Sequence, residues 1–197
     1  MLYVQNLAFG RFVLLLALAC ASLFASAWHT AAGAKDAKKP EPARLSYHDD
    51  TPDGKKSIGG DGELLSFSLP EGSDNGGKVV GIRIHGSRYG LPQPPKEDFK
   101  IYFLSQDLSE TLATKPAPYS RFKRGPEEWV DIKFAKPVEV PKDFWVGLDF
   151  RAHQTKGVYV SFDKSTDGSH SRIGLPGKEA REAKLGGDWM IEVLLAP

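Results

Sequence analysis

From Leu45 onward, apolar side chains recur at every second position in a series of short rows. Leu65, Phe67 and Leu69 hold one phase of Glu63–Leu69, with Leu64, Ser66 and Ser68 on the other. Val80, Ile82 and Ile84 alternate with Gly81, Arg83 and His85, and Phe99, Ile101 and Phe103 alternate with Lys100, Tyr102 and Leu104. Val130, Ile132 and Phe134 alternate with Asp131 and Lys133. Three further rows follow: Phe144, Val146, Leu148, Phe150; Val158, Val160, Phe162; and Trp189, Ile191, Val193, Leu195. Successive side chains of a strand point to opposite faces, so a period of two marks a strand with one face on a core. The pattern predicts seven strands, with weaker signals at Leu45–Asp49 and Ser120–Arg124.

Turn-forming residues punctuate the rows at Glu71–Gly77, Tyr89–Pro95, Lys136–Lys142 and Ser165–Gly168. Lys178–Leu185 is the one stretch that suits a helix, and it is under three turns long. Parallel strands need crossovers of about a dozen residues, usually helical, and these are scarce. The expected fold is therefore all-β over residues 45–197: an antiparallel two-sheet sandwich, jelly-roll or Greek-key, with at most one short helix. A closed barrel is the alternative. Phe144–Phe150 shows the cleanest alternation and is expected to be a central strand.

The N-terminus has a different character. The sixteen residues Phe12–Ala27 are apolar or small throughout, and as a helix they would reach about 24 Å, short of a hydrocarbon core of roughly 30 Å. Ala25-Ser26-Ala27 supplies the small residues of a signal-peptidase site, so residues 1–27 are expected to be a signal peptide cleaved before Trp28. The location that follows is periplasmic, cell-surface or extracellular. Leu16-Ala17-Leu18-Ala19-Cys20 is similar to a bacterial lipobox, which makes Cys20 a candidate lipidation site. Membrane contact is expected only through an uncleaved or lipidated N-terminus. Residues 28–44, small, charged and Pro-containing, read as a flexible linker. Cys20 is the only cysteine of the chain, so no intramolecular disulfide and no multi-cysteine metal site can form. Lys and Arg number 26 against 25 Asp and Glu, without the positive excess of a nucleic-acid-binding domain.

Several segments carry a resemblance. Tyr47-His-Asp-Asp50, Gly54–Gly60, Gly86-Ser-Arg-Tyr-Gly90, Gly157-Val-Tyr-Val160 and Gly187-Asp-Trp-Met-Ile191 together resemble a β-sandwich accessory module of secreted bacterial proteins. The resemblance spans about residues 45–195 and implies fold and export. It carries no assigned catalytic residue.

Three kinds of chemistry come into question. Gly86-Ser87-Arg88-Tyr89-Gly90 is not a Gly-x-Ser-x-Gly elbow, and Ser87 with His85 or His170 is a weak nucleophilic candidate beside the simpler reading of a tight loop. Asp49-Asp-Thr-Pro-Asp53-Gly54 and Asp163-Lys-Ser-Thr-Asp167-Gly168 space oxygen-bearing side chains as a calcium loop does. Asp49, Asp53, Asp163 and Asp167 are accordingly candidate metal ligands, although Asp-Gly is also a common hairpin pair. No other cofactor is expected. Trp129, Trp145, Tyr159 and Tyr102 fall on the phase opposite the apolar rows, with Asp131, Asp149 and Ser161 as neighbours. Aromatic faces beside polar groups suit a sugar, so Trp129, Trp145, Tyr159 and Asp149 are the candidate ligand-binding residues. The expectation is a secreted or envelope-associated, non-catalytic module that binds carbohydrate, cell-wall polymer or a cell-surface protein. A secreted hydrolase and a purely structural envelope protein are the alternatives.

Overall fold

In the computed structural model, which describes residues 41–197, the chain forms β1 (Ala43–Leu45), β2 (Gly54–Lys56), β3 (Glu63–Ser68), β4 (Gly77–Gly90), β5 (Asp98–Ser105), β6 (Thr111–Pro118), β7 (Glu128–Val140), β8 (Asp143–Asp149), β9 (Lys156–Asp163), β10 (Ser171–Ile173), β11 (Arg181–Glu182), β12 (Asp188–Trp189) and β13 (Ile191–Leu195). A 3₁₀ turn at Tyr119–Arg121 is the only helical element among the described residues. The strands make two sheets, and their pairs are antiparallel. The larger, seven-stranded sheet runs β1–β13–β4–β9–β12, with β7 on β4 and β2 on β9; the smaller, six-stranded sheet runs β11–β10–β3–β8–β5–β6. This is a two-sheet sandwich rather than one closed barrel. The expected signal peptide and Cys20 lie outside the described residues, as does most of the expected linker, whose last residues open β1.

The predicted apolar phases meet between the sheets. Leu65, Phe67, Phe99, Ile101, Phe103, Val146 and Leu148 come from the smaller sheet, and Ile82, Ile84, Val158, Val160, Ile191 and Val193 from the larger; all are buried. β8 lies between β3 and β5, the central place expected for it. The row in β4 differs by one residue from the sequence expectation. Val79, not Val80, is buried, because the register shifts between Val79 and Gly81. The bulge inserts an extra residue and turns Val80 off the core face. Gly81 permits the close approach, since a Cβ there would stand 2.6 Å from the Ile132 carbonyl oxygen.

Other elements depart further. Lys178–Leu185 is not helical. Arg181–Glu182 pairs with β10, Ala183 and Leu185 turn into the core, and Lys178 and Arg181 reach Asp61 at 3.2 and 3.1 Å. Fewer than three turns of helix do not repay nucleation when tertiary contacts compete. Ser120–Arg124 is not a strand: Ser120 and Arg121 belong to the 3₁₀ turn and the rest to the loop before β7. β4 extends to Gly90 and β7 to Val140, into the turns expected at Tyr89–Pro95 and Lys136–Lys142, and β6 has no counterpart in the pattern. The 3₁₀ turn carries the chain from β6 in the smaller sheet to β7 in the larger. Tyr119 anchors it, fully buried, its hydroxyl donating to the Phe150 carbonyl.

Candidate functional site

β4 is the axis of the larger sheet's outer face. Ile82 and Ile84 face the core, so Arg83, His85, Ser87 and Tyr89 share the opposite phase. The register sets Trp129 of β7 beside His85 and Tyr159 of β9 beside Ser87. Two of the aromatics expected from the sequence thus flank the same strand.

Trp129 is clasped rather than open. The Arg83 guanidinium lies 4.7 Å above its ring, and His48 and His85 approach to 5.0 and 5.1 Å. Arg83 is itself fixed by Asp131 and Glu192, each at 2.7 Å. Burial opposes ionisation of Glu192, but His48 and Arg83 outweigh it and hold the carboxyl below its ordinary range. Trp129 therefore packs within a charged network.

Tyr159 borders a groove. Its ring lies 4.6 Å from Tyr89, and Lys55 Nζ sits 5.3 Å from its centroid. Lys55 also pairs with Glu127 Oε1 at 2.5 Å, and the same oxygen accepts the Ser87 hydroxyl at 2.8 Å. Burial opposes ionisation of Glu127, yet these two donors keep it below the usual carboxylate range. The groove, of about 420 Å³, is lined by Lys55, Ser87, Arg88, Tyr89, Arg124, Gly125 and Tyr159. Arg124 stands on the loop before β7. Buried Phe122 packs that loop against Phe99 and Phe150, and the Arg88 N–H donates to the Lys123 carbonyl at 2.8 Å.

The other expected residues lie elsewhere. Trp145 belongs to β8, on the outer face of the smaller sheet, where its Nε1 donates to the Gln106 carbonyl at 2.9 Å. It borders a cavity of about 300 Å³ with Ser66, Ser68, Gln106 and Asp143. Tyr102 of β5 is on that face as well, half-buried and opposite Gly147. Asp149, at the end of β8, accepts the Arg151 N–H at 2.9 Å and lines a cleft of about 590 Å³ with Asp61, Arg151, His153 and Lys156. Trp145 and Asp149 therefore share no surface with Trp129 and Tyr159.

The aspartate loops are brought together, but their oxygens face amides. Asp163 accepts the N–H groups of Asp49 and Ser165, both at 2.6 Å, and Asp53 accepts that of Lys164 at 2.7 Å. Asp49 and Asp167 accept from Thr51 and Ser169, each at 2.8 Å. Burial disfavours the Asp163 carboxylate, but the two amides prevail and lower its pKa. Donor atoms of His48, Asp50 and Glu192 also converge within 4.8 Å. There the Arg83 guanidinium already supplies Glu192 with its positive charge.

Nor do the nucleophile candidates combine. Ser87 donates to Glu127, while His85 Nδ1 pairs with the Ser161 hydroxyl at 2.8 Å. Ser161 and Ser87 are both buried. His170 stacks on Tyr47 at 3.8 Å and lies 3.5 Å from Ser66.

Lys55, Arg124 and Glu127 were missed by sequence reasoning. Lys55 sits on a strand of three residues, and the other two on a loop, so none lies on a periodic row. The phase Arg83, His85, Ser87, Tyr89 could have been followed onward had the turn at Tyr89 not been assumed.

Comparison with known proteins places the fold. No family model and no curated protein matches the chain. Among solved structures it is similar to the cysteine protease and lectin-like domains of Cwp84, a surface layer associated protein of Clostridium difficile, with TM-score 0.51 and 14% identity. A second structure, of a variant of the clostridial cysteine protease Cwp84 after propeptide cleavage, gives TM-score 0.50 and 12% identity. The matches cover 80% of this chain but only 36% and 41% of those chains. At this identity the likeness is one of fold.

Proposed function

We propose that the protein is an exported, cell-surface, non-catalytic module that binds carbohydrate polymer in the groove beside Tyr159. The observation that carries this reading is the groove itself. It sets a pair of tyrosine rings beside a carboxylate and two cations, where the outer face of the larger sheet meets the loop before β7. A sugar offers apolar C–H faces and a ring of hydroxyls, and such a mixture of rings and fixed polar groups complements both. The groove is open, as the passage of a polymer requires. The likeness in fold to a surface layer associated protein with a lectin-like domain supports the same reading.

Depletion onto insoluble polysaccharide and cell-wall fractions tests it. Tyr159→Ala is expected to lose retention while melting within a few degrees of the parent, and Trp145→Ala to retain it. Loss in Trp145→Ala with retention in Tyr159→Ala would move the site to the smaller sheet. Hydrolysis of the bound polymer would favour the hydrolase alternative instead.

A further inference from the structure

The groove beside Tyr159 holds more positive charge than its carboxylates cancel. Lys55 is matched by Glu127. Arg124, exposed on the rim, makes no hydrogen bond or ion pair among the described residues. Arg88 is 6% exposed and also has no carboxylate partner. Its terminal nitrogens donate to the Leu91 and Pro92 carbonyls at 2.6 and 2.8 Å, and its Nε has no acceptor. Burial, and then the charge of Arg124, push the Arg88 pKa down, so the two guanidinium groups repel each other. A buried cation beside a second one, without a counter-charge, is electrostatically unfavourable. An anion in the groove relieves that penalty.

We propose that the groove selects an anionic glycan, a sugar polymer bearing carboxylate or phosphodiester groups, with Arg124 and Lys55 contacting the charge and Tyr159 the sugar. This rests on the carbohydrate reading above. Arg124 brings a planar fork of donors that fits either oxyanion in two parallel hydrogen bonds. Glu127 holds Lys55 over the Tyr159 ring, so that cation is in place before a ligand arrives. The excess of positive charge is local, since the whole chain is close to neutral, +1.

Binding of the purified protein to polygalacturonate, to a glycerol-phosphate polymer and to neutral dextran tests the proposal. At least one acidic polymer is expected to bind about tenfold or more tightly than dextran, and added salt to weaken that binding. Arg124→Gln should weaken acidic binding about tenfold, without changing the melting temperature. Lys133→Gln is the control. It removes the same charge from β7 opposite Gly81, six residues along β4 from Ser87, roughly 20 Å away, and should change little. Which acidic polymer prevails identifies the charged group. If dextran binds equally well and Arg124→Gln has no effect, the charge preference is wrong while the carbohydrate reading stands. If no polymer binds, both fall.

Discussion

Glu63 is 1% exposed where β3 meets β8 and β10, and its Oε1 has no hydrogen-bond donor. Burial raises its carboxyl from 4.5 to about 8, against the opposing effect of the Glu63 and Ile58 backbone amides. Above pH 4.5 the unfolded chain ionises Glu63 while the folded one keeps it protonated until about pH 8. The folded state then binds more protons, so stability falls as pH rises through this window, by about 5 kcal/mol at most. Glu63→Gln should abolish that decline, melting higher than the parent at pH 8.5 and alike at pH 4.5 in urea titrations. A parent whose stability is flat over this range would refute the buried neutral acid. Asp163 has the opposite sign. Its lowered pKa contributes stability above the ordinary carboxylate range and loses it as pH falls through the folded value. Asp163→Ala strands the amides of Asp49 and Ser165 and should cost about 1–3 kcal/mol by denaturant melts. Millimolar calcium should leave the melting temperature unchanged, and a rise abolished by Asp163→Asn with Asp167→Asn would instead support calcium binding at these loops. Sequence alone exposes half of this. Glu63 lies in the core phase of Leu65 and Phe67, but its charge argues for solvent. The aspartate spacing is the same for a cation loop and for amide capping. Only the fold shows Asp163 receiving an amide from 114 residues away.

Strands with strict alternation were readable because both their faces have distinct environments. β5, β8 and β9 lie where the apolar rows placed them. β6 was hidden by Pro116 and Pro118, and the end of β7 by Pro137, residues that signal turns. Both strands are edges, β6 paired only with β5 and β7 only with β4, and an edge strand has N–H positions that need no partner. The bulge at Val79–Gly81 was unreadable for another reason. A one-residue insertion changes which valine is buried without changing composition. The central element makes the sharpest demand. Leu148 is fully buried in β8 between Glu63 and Ile101. Leu148→Ala should cost roughly 2–5 kcal/mol, seen as a lower urea midpoint with an unchanged slope. A loss below about 0.5 kcal/mol would mean the face is misassigned.

The whole sandwich decides what alternation could not: which outer face each polar-phase aromatic shares. Trp129 and Tyr159 meet across β4, while Trp145 stands on the other sheet. A near-neutral composition likewise concealed a local excess of charge, because Lys55, Arg88 and Arg124 come from separate segments that the fold joins. The most direct measurement is amide chemical-shift mapping of the isotope-labelled protein during titration with a glycan that it retains. Binding in the proposed groove predicts saturable shifts confined to Lys55, Ser87, Tyr89, Arg124, Glu127, Tyr159 and their neighbours. Shifts centred on Ser66, Gln106 and Trp145, or on Asp149 and Arg151, would contradict it.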